Sequence, residues 1–139
     1  MTPNTAQVQA AEYWSTLTPR LQHERHSAIQ VIESYLEWVR ERAVCHQAEA
    51  WNYHESCCQQ LMRAVDDSRF APEVRELCSD YLWQPLEELQ RLSLSPCSQP
   101  RCRHRLQCLM QQLEQLLLPV TRRQPGMYLC ARCEAIDLH

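Results

Sequence analysis

The stretch that decides the fold runs from Ile29 to Val65 and reads IQVIESYLEWVRERAVCHQAEAWNYHESCCQQLMRAV. It contains neither Gly nor Pro, and one set of its residues recurs every three or four positions. That spacing places the set on one face of an α-helix, which indicates a buried helical stripe. The stripe consists of Ile29, Ile32, Leu36, Val39, Ala43, Ala50, His54, Cys58, Leu61 and Val65.

The helical pattern extends back to Thr18 and Pro19, which read as an N-cap and the first residue of a helix. One unbroken helix from there to Val65 would be roughly 70 Å long at 1.5 Å per residue. Helices of that length are rare in globular proteins, where the average is about three turns. We therefore predict a break near Cys45 to Asn52.

Shorter helices are predicted on both sides of this region. One amphipathic helix spans Ala6 to Leu17, and another opens at Ala71–Pro72. Pro85 lies inside the following apolar pattern, so that helix should kink or restart there. A last helix is expected from about Arg101 to Leu118. Only Met127 to Leu129 has the pattern of a strand. The predicted fold is all-α, an antiparallel helical bundle with a Cys-rich C-terminal end that zinc would stabilise.

The chain suits one domain, residues 1–139, with residues 97–139 as its Cys-rich end. Hydrophobic residues make up 45% and charged residues 22%, which are ordinary values for a globular protein. The 9 cysteines are an odd number, and neither a secretory signal nor a membrane-spanning run is visible. We therefore expect a cytoplasmic protein whose thiols are reduced.

The strongest chemical pattern is Cys130-Ala-Arg-Cys133, which follows Pro125 and Gly126, the only glycine. A C-x2-C after a Pro-Gly turn is typical of a zinc knuckle, because the turn brings two thiolates to one ion. The other ligands would come from His139 or from earlier residues. The candidates for them are His104, Cys108, Cys97 and Cys102.

His54 and Cys58 form a second candidate pair, because side chains four residues apart share a helical face. The alternative is a buried His bonded to a carbonyl beside a Cys that packs as a small apolar residue. With Cys97 and Cys102 the pair makes a His-Cys-Cys-Cys set, and Cys57 could replace Cys58. This local pattern resembles the TAZ zinc fingers of transcriptional coactivators, which implies zinc held between helices and loops.

The segment from Pro125 to Cys133, with a following apolar residue and His139, resembles a family of uncharacterised bacterial proteins. Ala11 to Leu17 and Tyr81 to Gln84 look similar in the same order. The resemblance implies a long helical N-terminal region followed by a C-terminal zinc ribbon. This chain lacks the second C-x2-C of a ribbon, so Cys108, His104 or His139 would have to complete the site.

A set of His and Glu side chains on the long helix invites comparison with di-iron bundles. The Glu-x-x-His pairs that such sites require on two helices are missing, so we interpret the set as a solvated face. Its members are His23, Glu24, His26, Glu33, Glu37, Glu41 and His46.

Charge is divided unevenly along the chain, and every one of the 14 basic residues is Arg. Residues 1–96 hold 8 Arg against 14 acids, a net of −6, whereas residues 97–139 hold 6 Arg against 3 acids, a net of +3. A small basic patch on an acidic protein is a weak footprint for nucleic acid, so we expect no tight complex with duplex DNA. Any contacts would come from Arg101, Arg103, Arg105, Arg122 and Arg123.

These features favour a non-enzymatic, zinc-binding helical protein that acts as an interaction or regulatory module with a protein partner. The alternative is a thiol-based redox or metal sensor that releases zinc on oxidation. An enzyme with Cys130 or Cys133 as nucleophile is the third hypothesis, and no residue in the sequence is placed as its base.

Overall fold

The computed structural model describes residues 4–23, 27–95 and 99–117. They form α1 (Thr5–His23), α2 (Ala28–Cys45), a short 3-10 helix (Gln47–Glu49), α3 (Ala50–Val65), α4 (Pro72–Tyr81), α5 (Trp83–Ser93) and α6 (Pro100–Leu116). These helices pack into a bundle, and no strand occurs among the described residues, so the all-α prediction is confirmed for them. The candidate strand Met127 to Leu129 lies outside the described part of the chain. None of the described helices is both long enough and apolar enough to cross a bilayer.

Helix α3 lies at the centre of the bundle, because each of the other five α-helices contacts it. Every residue from Tyr53 to Cys58 is buried, so the helix is covered around its whole circumference over that stretch. A helix that is buried on all sides belongs to the core of a domain. The central position of α3 explains why two polar residues there, His54 and Glu55, are removed from solvent.

The prediction that a helix begins at Thr18–Pro19 is wrong, because α1 continues through Pro19 to His23. Proline lacks the N–H that would bond the carbonyl of Ser15, four residues earlier. The Thr18 hydroxyl donates to that carbonyl at 3.1 Å instead. Burial of Leu21 in the core then favours continuing the helix for another turn.

The predicted break in the long helical region is confirmed. Helix α2 ends at Cys45, His46 leaves helical geometry with φ −129° and ψ 68°, and α3 begins at Ala50. The predicted buried stripe is wrong at Ile29, which is 48% exposed. Val31 is buried instead.

The restart predicted at Pro85 is also confirmed, because α4 ends at Tyr81 and α5 begins at Trp83. Pro85 therefore falls in the first turn of α5. The backbone N–H groups of that turn have no partner within the helix, so a proline there costs no helical hydrogen bond.

Aromatic side chains join α1, α2 and α3. The Tyr13 ring stacks on Trp38 with centroids 4.6 Å apart, and Trp14 lies 4.8 Å from Tyr35. Trp38 meets Tyr53 edge to face at 6.1 Å. These separations are in the range where aromatic pairs contribute beyond the area they bury. Helix α1 is thus packed on the bundle by a continuous aromatic cluster.

The burial of Trp14 gives a stability test. Its side chain is 5% exposed, so Trp14→Ala should lower the free energy of unfolding by about 3–5 kcal/mol through lost burial and a residual cavity. Trp83 is 58% exposed and supplies the matched control, for which Trp83→Ala should change stability by only about 0.5 kcal/mol. Urea unfolding of both variants makes the measurement, and equal losses would contradict the aromatic packing described for α1.

Candidate functional site

Helix α6 is attached to α3 by a buried ion pair. Arg105 is 6% exposed and Glu55 only 1%. The Arg105 guanidinium donates through Nε and Nη2 to the two carboxylate oxygens of Glu55. Trp51 Nε1 also donates to Glu55 Oε2, at 3.3 Å. The carboxylate therefore accepts hydrogen bonds from two side chains in a place that water does not reach.

The pairing corrects one part of the predicted nucleic-acid contacts. Arg105 was expected at the surface, but its guanidinium is held by Glu55 and is not free to bind phosphate. Arg101 and Arg103 on the same helix are exposed, as expected. Arg122 and Arg123 lie outside the described residues.

One turn of α6 brings a histidine and a cysteine into contact, two residue types that can bind metals. His104 Nε2 lies 3.5 Å from Cys108 Sγ, with His104 half-buried and Cys108 buried. Zinc binds His nitrogen at about 2.0–2.1 Å and Cys sulfur at about 2.3 Å, and structural sites are tetrahedral. Two such ligands on one ion are separated by about 3.5 Å, from these bond lengths and the tetrahedral angle. The observed separation is that of a hydrogen bond between the thiol and the imidazole, and it also matches the spacing of two ligands on a single zinc ion.

The remaining predicted ligands divide into two groups. Cys97, Cys130, Cys133 and His139 lie outside the described residues. Cys102 is half-buried on α6, and six residues correspond to about 240° of helical rotation, so it is on a different side from Cys108. Within the described ranges no three His, Cys, Asp or Glu side chains group closely enough to hold a metal ion. His54, Cys58 and Cys102 are thus not brought together.

The thiols of α3 and α4 behave as core residues. Cys58 Sγ contacts Met62 Sδ at 3.8 Å, and burial raises the pKa of Cys58 to about 12. Burial also raises the pKa of Cys78 to about 12 and that of Cys57 well above its usual value. Thiols with such pKa values stay protonated near neutral pH and are poor nucleophiles. This agrees with the alternative interpretation of Cys58 as a small apolar residue.

His54 faces a different feature, a cleft of about 230 Å³ between α2, α3 and α5. Leu36, Val39 and Pro85 supply apolar walls, and Trp83 lies at the exposed side. Burial lowers the pKa of His54 below 6.5, with Glu88 opposing the shift and Arg91 and Arg40 adding to it. The imidazole is therefore neutral at pH 7.

The His and Glu set that invited a di-iron comparison is at the surface, as interpreted from the sequence. Its described members, His23, Glu33, Glu37, Glu41 and His46, are all exposed. Glu24 and His26 lie outside the described residues.

The chain matches no family model, no curated protein and no solved structure. The resemblances to TAZ zinc fingers and to bacterial zinc-ribbon proteins therefore stay predictions. The interpretation of the site depends on the geometry of its residues.

Sequence reasoning missed the Glu55–Arg105 pair, although a signal for half of it exists. Arg105 is one helical turn before Cys108 and Leu109, which places it on the inner face of α6. An arginine on an inner face needs a buried acid as its partner. Nothing in the sequence indicates which of the 17 acidic residues supplies it.

The ion pair makes a direct prediction for stability. Glu55→Ala leaves the Arg105 charge buried without its partner, so the free energy of unfolding should fall by about 3–5 kcal/mol. Replacing both residues with Met removes both charges, and that double variant should be close to wild type or more stable. Urea unfolding measures all of these variants.

Arg69→Ala is the control, because Arg69 pairs with Asp67 at the surface with 75% of its side chain exposed. Exposed pairs contribute at most about 1 kcal/mol. If Glu55→Ala costs no more than Arg69→Ala, the buried pair does not hold α6 to the bundle.

Proposed function

We propose that this protein is a non-enzymatic, zinc-binding interaction module, in which one zinc ion fastens the Cys-rich end to α6. The observation that supports this most directly is the 3.5 Å separation of His104 Nε2 and Cys108 Sγ. It supports His104 and Cys108 as one ligand pair among the alternatives that the sequence leaves open. A structural zinc site has four ligands, so two more are needed.

Cys130 and Cys133 are the proposed second pair, on the strength of their C-x2-C spacing after a Pro-Gly turn. Together with His104 and Cys108 they give a Cys3His set, one of the usual structural zinc sites. Three thiolates outweigh the charge of one Zn²⁺ by one unit. The exposed guanidinium groups of Arg101 and Arg103, on the same helix, favour that excess negative charge.

A rigid helix suits this role, because metal ligands must be held in position before the ion binds. The residue next to His104 is Arg105, whose buried pairing with Glu55 connects α6 to the centre of the bundle. His104 and Cys108 are therefore presented from an element whose own orientation is determined by the core.

A Cys–His pair is also the arrangement of a thiol nucleophile and its base. Cys108 is 7% exposed, which leaves little room for a substrate to reach its sulfur. Metal binding needs no substrate access, so it is the better explanation of the pair.

The proposed partner is a protein. Large apolar side chains stand at the surface on three helices or their ends, where a partner could cover them. These are Val44, Leu94 and Leu117, which are 71%, 82% and 69% exposed. Any contact with nucleic acid would be limited to the exposed arginines of the Cys-rich end.

Zinc content tests the proposal. Purified wild-type protein should contain one equivalent of zinc by elemental analysis, and His104→Ala with Cys108→Ser should remove it. Cys130→Ser with Cys133→Ser should remove the same equivalent. Cys45→Ser is the control and should keep the metal, since Cys45 is an exposed cysteine on α2 outside the proposed site.

Wild type without zinc would refute the proposal. Zinc that survives the His104 and Cys108 changes, yet is lost with Cys130 and Cys133, would show that the completing pair was chosen wrongly. Acid should release the ion as it protonates the ligands, while the helices keep their apolar core.

The alternative function, a thiol redox sensor, would use the same ligands. Peroxide would oxidise two zinc-bound thiolates to a disulfide and be reduced to water, and the ion would leave. The buried thiols Cys57, Cys58 and Cys78 are unsuited to such sensing because their pKa values are raised.

Mild peroxide separates the two functions. A structural zinc site should retain its metal and helicity under conditions that oxidise small-molecule thiols slowly. Zinc release measured with a chelating dye, together with a change in far-ultraviolet circular dichroism, would favour the sensor.

A further inference from the structure

The cleft between α2, α3 and α5 contains a buried polar side chain that the zinc proposal does not use. His54 is 4% exposed and lines this cleft of about 230 Å³. No described residue forms a hydrogen bond with the His54 ring, and neither ring nitrogen is among the fully buried polar atoms that lack a partner. The ring nitrogens therefore remain accessible from the cleft, where water or a bound molecule can be their hydrogen-bond partner.

Two of the charged side chains that line the cleft have partners among their neighbours. Arg40 Nη1 donates to Gln84 Oε1 at 2.9 Å, and Glu88 binds Arg91 at 2.7 Å. Glu87 also lines the cleft and is exposed. The lining is nonetheless more apolar than polar, and neutral His54 is its most buried polar group. Such a lining fits the usual composition of a small-molecule site, which combines apolar walls with a few placed polar groups.

The volume limits the size of the ligand. An engineered apolar cavity of about 150 Å³ takes up benzene, whereas sites for drug-sized molecules begin at about 300 Å³. The cleft is between the two, so it has room for one ring with a small substituent. The Trp83 ring, 58% exposed at the cleft, offers an aromatic face for such a ring.

From this lining we infer that the cleft binds a small, neutral, single-ring molecule that carries a hydroxyl group, with His54 as the hydrogen-bonding partner of the hydroxyl. A neutral imidazole has one donor and one acceptor nitrogen, and a hydroxyl can complement either. Leu36, Val39 and Pro85 cover the ring. None of the proposed zinc ligands lines this cleft, so the ligand proposal can be tested independently of the zinc proposal.

The test is a titration of the full chain with p-cresol, followed by the NMR signals of the His54 ring and the Trp83 indole N–H. Toluene has the same shape without the hydroxyl, while benzoate and benzylamine carry a charge. Saturable shifts of both signals are expected with p-cresol in the millimolar range. Toluene should bind about three- to tenfold more weakly, and the charged probes more weakly than p-cresol.

His54→Phe keeps an aromatic ring but removes the hydrogen bond, so the p-cresol affinity should drop to that of toluene. His46→Phe is the matched control, because His46 is exposed at the C-terminal end of α2 and does not line the cleft. It should leave the p-cresol affinity unchanged. Circular dichroism checks that each variant is folded.

Trp83→Ala supplies a second variant that removes only an exposed side chain. It should weaken p-cresol and toluene by the same factor, since it alters the aromatic contact and leaves His54 in place. No saturable binding of p-cresol would overturn the inference. Equal affinities of p-cresol and toluene for wild type, or tighter binding of benzoate or benzylamine, would overturn it as well.

Discussion

The ion pair between Glu55 and Arg105 is the interaction on which the position of α6 depends. Both side chains are taken out of water, which is costly for isolated charges. Two hydrogen bonds from the guanidinium and one from Trp51 satisfy the carboxylate. Because a two-point pair of this kind prefers one geometry, it favours one register of α6 against α3, beside the contacts of α6 with α5. Apolar contacts such as those of Leu109 would permit neighbouring registers at a smaller cost.

The register of α6 also determines where the proposed zinc ligands of the Cys-rich end lie. His104 and Cys108 flank Arg105 in sequence, and a rotation of α6 that released Arg105 would carry both of them with it. The pair therefore connects the centre of the bundle to the proposed zinc ligands through one helix. The His54 cleft is on another side of the central helix, formed with α2 and α5. Two neighbouring residues of α3 therefore have different roles. His54 lines the cleft, and Glu55 forms the ion pair with Arg105.

The sequence predicts the helices well because apolar spacing reports directly which residues are buried. The break after Cys45 and the restart near Pro85 follow from that spacing and from backbone chemistry. It fails at Pro19, where the hydroxyl of the preceding Thr18 donates to the carbonyl of Ser15 in place of the missing N–H, which apolar spacing does not reveal. It also fails at Arg105, because a charge pattern cannot show which distant acid will meet it. Distances between residues fifty positions apart are decided by packing, and a single sequence holds no record of that packing.

The surroundings of His54 favour a neutral hydrogen-bonding role over a role as a zinc ligand. As a zinc ligand it would need further ligands on the same ion, but no group of three His, Cys, Asp or Glu among the described residues could hold one, and the Cys58 sulfur is buried against Met62. The same burial lowers the pKa of His54, so the folded state resists its protonation. Below pH 6.5 an unfolded chain takes up this proton more readily than the folded one, and the contribution of His54 to stability then falls as pH falls. The ring nitrogens of this neutral imidazole remain accessible from the cleft, so water or a bound molecule there can take up its hydrogen bonds.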